Sequence, residues 1–109
     1  MRSPESFEKT AIKKHLEKIG AWHFSPYMAG MGKTGVPDII CCYRTVFIAI
    51  EVKRPGKKPT PIQERRMEEV RKAGGIAIWG TAEKVIDELK RMFPNAAQAA
   101  PAIVQPAKP

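Results

Sequence analysis

The sequence predicts an α/β domain in the order αβββαβα, with a mixed sheet flanked by helices. Three observations predict it. Apolar runs at 37 to 43 and 46 to 53 are separated only by Arg44-Thr45, a gap so short that the two strands turn back on each other as a hairpin. A capped helical stretch at 61 to 73 leads at once into "IAIW" at 76 to 79. With strand 46 to 53 it forms a βαβ unit, whose strands run parallel with a right-handed crossover. Helical signals close both ends.

The first helix is announced by Ser3-Pro4, a capping hydroxyl followed by proline at the first helical position, and Gly20 ends it. Phe7, Ala11, Leu16 and Ile19 are expected on its apolar face. Residues 21 to 27, "AWHFSPY", read as a short extended piece, and the glycines of "MAGMGKTG" at 28 to 35 as a loop. Gly30, Gly32 and Gly35 either let this loop pass close to a nucleic-acid backbone or only make its turns. The basic, proline-punctuated "RPGKKPTP" cannot continue a sheet. Thr60, Pro61 and Gln63 then form a capping box that starts the second helix, which carries Ile62, Met67 and Val70 and stops at Gly74-Gly75. Thr81 caps a last helix with Val85, Ile86, Leu89 and Phe93 inward. The folded domain is expected over 1 to 94. The Ala/Pro-rich stretch 95 to 109, with Ile103 and Val104 its only larger apolar residues, reads as a flexible extension.

Nineteen Lys and Arg against 11 Asp and Glu leave 109 residues with a formal charge of +8. So much positive charge on a small surface points to a polyanionic partner, nucleic acid before an acidic membrane. A chain this short builds a small core, so completion by a second subunit is an option from length alone. Cys41 and Cys42 are adjacent on a strand and point to opposite faces, which suits reduced core thiols and neither a disulfide nor a zinc site. "MRSPESFEKT" does not read as a signal peptide and the apolar runs are too short to span a bilayer, so no membrane partner is expected and the cytoplasm is the default compartment. Trp22 and Trp79, in apolar surroundings, are expected in the core.

The chemistry concentrates at the end of strand 46 to 53. Val46, Ile48, Ile50 and Val52 share a wholly apolar face that must lie under a helix, whereas Phe47, Ala49, Glu51 and Lys53 share the other. Glu51 and Lys53 therefore point the same way, roughly 6.6 Å apart at about 3.3 Å per residue. A hairpin turning at 44 and 45 sets Asp38 opposite Glu51, with side-chain origins about 5 Å apart. Opposed carboxylates repel unless a cation lies between them, and oxygen ligands favour magnesium or manganese over zinc. The Val52 carbonyl can add a ligand, and Lys53 can hold or polarise a water attacking phosphorus. The plain alternative is a solvated Glu51–Lys53 ion pair with Asp38 capping a loop. Lys33, Arg54, Lys57 and Lys58 lie close by in sequence as candidate phosphate contacts, or as solvated loop cations.

"GVPD", "IAIEVKRPG" and "TPIQ" together resemble the motifs of the VRR-NUC domain (virus-type replication-repair nuclease), a branch of the PD-(D/E)XK nucleases, over about residues 5 to 90. The resemblance implies a restriction-endonuclease-like core and magnesium- or manganese-dependent cleavage of DNA that leaves a nick with a 5′-phosphate. Small stand-alone members, often carried by phages, are associated with homodimers that cut branched DNA such as four-way junctions; for a phage-encoded member the compartment is the host's cytoplasm. Carried onto this chain, the family's aspartate falls on Asp38, its glutamate on Glu51, its lysine on Lys53 and its helix-opening glutamine on Gln63, which the capping box also explains. Its first-helix glutamate falls on Glu5, with Glu8 the rival. Two further readings compete: a non-catalytic DNA-binding subunit, against which the intact Asp, Glu and Lys count, and an RNA-binding module, for which the aromatic strand pattern is missing.

Overall fold

The computed structural model describes residues 4–27 and 32–96. Ser3, Gly30 and most of the C-terminal stretch, from 97 on, lie outside the described residues. Seven elements follow in the expected order: α1 (Glu5–Ile19), β1 (Trp22–Phe24), β2 (Ile39–Tyr43), β3 (Val46–Val52), α2 (Pro61–Lys72), β4 (Ile76–Gly80) and α3 (Ala82–Met92). They build one mixed sheet in the order β1-β2-β3-β4. The first three strands are antiparallel neighbours, and β3 and β4 run parallel as the βαβ unit requires.

The β2–β3 hairpin turns at Arg44 and Thr45, whose φ angles of 49° and 72° both lie in the left-handed region. Two-residue hairpin turns of the favoured type need positive φ at both central positions, so the tight connection is kept although neither residue favours it. Ile39 pairs with Ile50 and Tyr43 with Val46. Extending this register by one residue sets Asp38 opposite Glu51, as the hairpin reading requires.

The apolar face of β3 lies under two helices. Ile48, Ile50 and Val52 pack with Ile12, Leu16 and Ile19 of α1 and with Val85 and Leu89 of α3. On the other face Met67 of α2 covers Ala49 and Ala77 in a smaller cluster, with Val70 and Trp79 at its margin. The asymmetry follows from composition: the α1/α3 side has large β-branched residues on β3, whereas alanines on β3 and β4 let α2 sit close. Gly35 belongs to that close packing. Its φ is 74°, and a Cβ there would come within 2.8 Å of Ile62, so this glycine is required by α2 and by its own turn.

Four expectations about burial are corrected. The inward stripe of α1 is Glu8, Ile12, Leu16 and Ile19, one residue out of phase with the expected one at its start. Phe7 is 68% exposed and Ala11 also faces out. Trp22 is 66% exposed because β1 is an edge strand whose outer face no helix covers. Trp79 is half-buried. Of the two free thiols only Cys41 is a core residue, its pKa pushed up to about 12 by burial; the alternation of the strand turns Cys42 outward.

Candidate active site at the carboxyl end of β3

Strand β3 delivers Glu51 and Lys53 to one face, and both are buried, 2% and 8% exposed. The Lys53 ammonium lies 3.7 Å from Glu51 Oε2. An exposed ion pair is the reading that this burial excludes, since a half-wet strand end would leave both groups solvated. Asp38 reaches the same place from the start of β2. Its Oδ2 accepts the Val52 N–H at 2.9 Å, so a carboxylate continues the hairpin ladder where β2 itself begins. In an extended strand the N–H and C=O of one residue point to the same edge, which leaves the Val52 carbonyl on the Asp38 side.

Burial, then the neighbouring Asp38 carboxylate, raises the Glu51 pKa to about 8, with Glu5 adding to the rise and Lys53 opposing it. Glu51 Oε1 is buried without a hydrogen-bond partner. An orphaned carboxylate oxygen beside a second carboxylate is an environment that a cation completes. Among the described residues no cluster of three or more His, Cys, Asp or Glu side chains is placed to hold a metal. The donors present are two carboxylates and a backbone carbonyl. That all-oxygen, incomplete set fits magnesium or manganese, which retain waters, and does not fit zinc.

The two candidate carboxylates of the first helix, Glu5 and Glu8, separate cleanly. Glu8 is buried and its Oε1 accepts the Ala82 N–H at 2.7 Å, which satisfies an orphan donor in the first turn of α3. Glu5 is exposed, yet near enough for its charge to act on Glu51. Gln63 completes the capping box with Thr60, its Oε1 accepting the Thr60 N–H at 2.8 Å. It also lines a cleft of about 380 Å³ together with Asp38, Lys33 and Lys9. Capping and a place in the cleft are thus compatible.

On the β4 side, Lys53, Arg54, Lys57 and Lys58 line a second recess of about 270 Å³ with Trp79 and Lys84. Two cations here escaped the reading of the sequence. Lys9 stands four residues after Glu5, one helical turn along the same face, which is a usable signal. Lys84 gives no such signal: it belongs to α3, and its ammonium sits 3.6 Å from the Trp79 ring centroid only because the side chain crosses Gly80, where a Cβ would approach it within 2.6 Å. The arrangement is a pair of carboxylates and a buried ammonium between two recesses lined by cations. With a cation between the carboxylates, the arrangement would suit a phosphodiester strand, one phosphate at that cation and its neighbours in the recesses.

No protein-family model and no curated protein matches the chain. A solved structure described as a "VRR_NUC domain" does, with a TM-score of 0.70 and 27% sequence identity over 82% of this chain and 96% of that one. The mixed sheet, the carboxylate pair at its edge and this likeness agree: the chain carries a VRR-NUC domain, a nuclease-like domain with a restriction-endonuclease-like fold.

Proposed function

We propose that the chain is a divalent-metal-dependent DNA endonuclease that hydrolyses phosphodiester bonds in branched DNA, four-way junctions included, and works as a homodimer. The observation that carries the reading is the convergence of Asp38, Glu51 and Lys53, with Glu51 Oε1 buried and unpartnered, at the end of β3. Asp38, Glu51 and the Val52 carbonyl would hold magnesium or manganese. Such an ion supplies positive charge against the phosphate oxygens and lowers the pKa of the attacking water.

The remaining work falls to the chain's own groups. Lys53 donates hydrogen bonds from a fixed, poorly solvated position, where it orients the water and offsets charge growing on phosphorus. Glu5, on the rim, assists in placing that water. The water oxygen bonds to phosphorus and gives up a proton to solvent, the bond from phosphorus to O3′ breaks, O3′ takes a proton from solvent, and the 5′ side keeps the phosphate. Lys33 on one flank and Arg54, Lys57 and Lys58 on the other grip neighbouring phosphates without reading sequence. The test is cleavage of labelled duplex, flap, single-stranded and four-way-junction DNA with magnesium, with manganese and with chelator. Metal-dependent nicking of branched DNA is the expected result. Binding without cleavage under every condition would leave a non-catalytic DNA-binding subunit.

A further inference from the structure

The sheet face that carries Asp38 and Glu51 continues past them as an uncovered aromatic surface. Trp22 pairs with Cys42 and Cys42 with Phe47, while Phe24 pairs with Ile40, so all five share one face. Helix α2 covers Ala49 and Ala77, and its cluster reaches Ile40 of β2, which leaves the β1 end of that face uncovered. What remains open includes Trp22 at 66%, Phe24 at 44% and Phe47 at 46% exposure. The Trp22 and Phe24 rings lie 5.4 Å apart at 58°, close enough to act as one platform and tilted enough to leave ring surface to solvent. Beside them runs a groove of about 690 Å³ floored by Ile40 and Phe47. It shares Pro26, Lys33, Val36 and Pro37 with the Asp38 cleft, so groove and cleft are continuous.

We propose that this face binds a single-stranded segment of the DNA substrate, an unpaired branch whose bases stack on Trp22 and Phe24 while its backbone follows Lys33 and Lys9 toward Asp38. The inference rests on the reading of the chain as a DNA-cutting domain and singles out, among branched substrates, those with an unpaired arm as the ones this face would recognise; a fully paired four-way junction would not engage it. Charge selects the occupant. The groove holds Lys33 and Arg66 against one carboxylate, Glu69, and the cleft it opens into holds Lys33 and Lys9, on a chain of net charge +8; this complements a phosphate backbone. Base chemistry then selects the single strand. Paired bases are stacked inside a duplex and cannot reach the rings, whereas unpaired bases present their faces to any aromatic platform, with little regard to sequence.

Trp22 supplies its own probe, because the chain has two tryptophans and Trp79→Phe leaves Trp22 alone. In the full-length Trp79→Phe protein, with chelator present to prevent cleavage, a short oligothymidylate and a duplex with an unpaired thymidine branch should quench Trp22 emission, and the blunt duplex of the same sequence should not. Trp22→Ala should weaken binding of the branched duplex roughly tenfold, leave the blunt duplex within about twofold, and be largely rescued by Trp22→Phe. Absence of quenching by unpaired DNA, or equal loss on both duplexes, would overturn the proposal; so would a Trp22→Ala protein that sediments as a monomer where the wild type is a dimer, since a second copy would then be the occupant. Should Trp22→Ala fail to fold, the quenching comparison decides alone. Failure of the nuclease reading looks different: the wild type would cleave no DNA with magnesium or manganese, while unpaired DNA still quenched Trp22.

Discussion

Glu51 is where the cost of the site is concentrated. Held at about 8 in the folded protein by burial and by Asp38, its pKa lies well above the usual carboxylate range. The sign of the linkage follows. From about pH 4.5 to 8 the folded state keeps a proton that the unfolded chain releases, so metal-free protein loses stability as pH rises through that window. Urea unfolding in chelator should show this fall, and Glu51→Gln, which cannot ionise, should flatten it and be the more stable protein at pH 8. A wild type whose stability stays level from pH 5 to 8 in chelator would mean that Glu51 is not held in this way. Glu8 is the contrasting residue. It has the same side chain but a structural task at Ala82 N–H, so Glu8→Ala should cost about 1 to 2 kcal/mol of stability, read by urea denaturation, while the folded fraction retains its cleavage rate.

At the level of elements, much was legible because local signals agreed. The hairpin register could be read from the position of Arg44-Thr45 alone, and it located the Asp38–Glu51 pair. The Thr60 capping box and the βαβ order fixed α2 and the parallel β3–β4 pair. What escaped depends on which faces the fold leaves uncovered. Nothing in "AWHFSPY" says that β1 is an edge strand, so Trp22 read as core. Phe7 suggested one stripe for α1, but the buried Glu8 to Ala82 bond takes part in another. The loop between β3 and α2 carries its own prediction. Lys57 and Lys58 line the recess beside Lys53, and each phosphate contact contributes about 0.9 to the slope of log K against log salt. Reversing both charges should therefore weaken binding to all DNA sequences alike and lower the salt slope by more than one; an unchanged slope would make them solvated loop residues.

For the whole molecule, the described core is closed at its C-terminal side by Phe93, stacked edge-on against Tyr43 with centroids 5.0 Å apart, and by Ala96, which is buried against it. Assembly is accordingly expected to use the folded body, and a chain ending at Ala96 should stay folded and dimeric in sedimentation; a monomer would assign assembly to residues 97–109. No helix among the described residues is long and apolar enough to cross a membrane. The charge of +8 and the lysine-lined recesses on either side of Lys53 suit a phosphate backbone, and the proposed chemistry lies between those recesses. That chemistry is tested most directly by comparing wild type with Lys53→Ala on labelled four-way-junction DNA in magnesium or manganese. Loss of a buried, preorganised donor should lower the cleavage rate by at least about 10²-fold while DNA affinity, held by the flanking cations, stays within severalfold. Cleavage by Lys53→Ala at the wild-type rate would contradict the account.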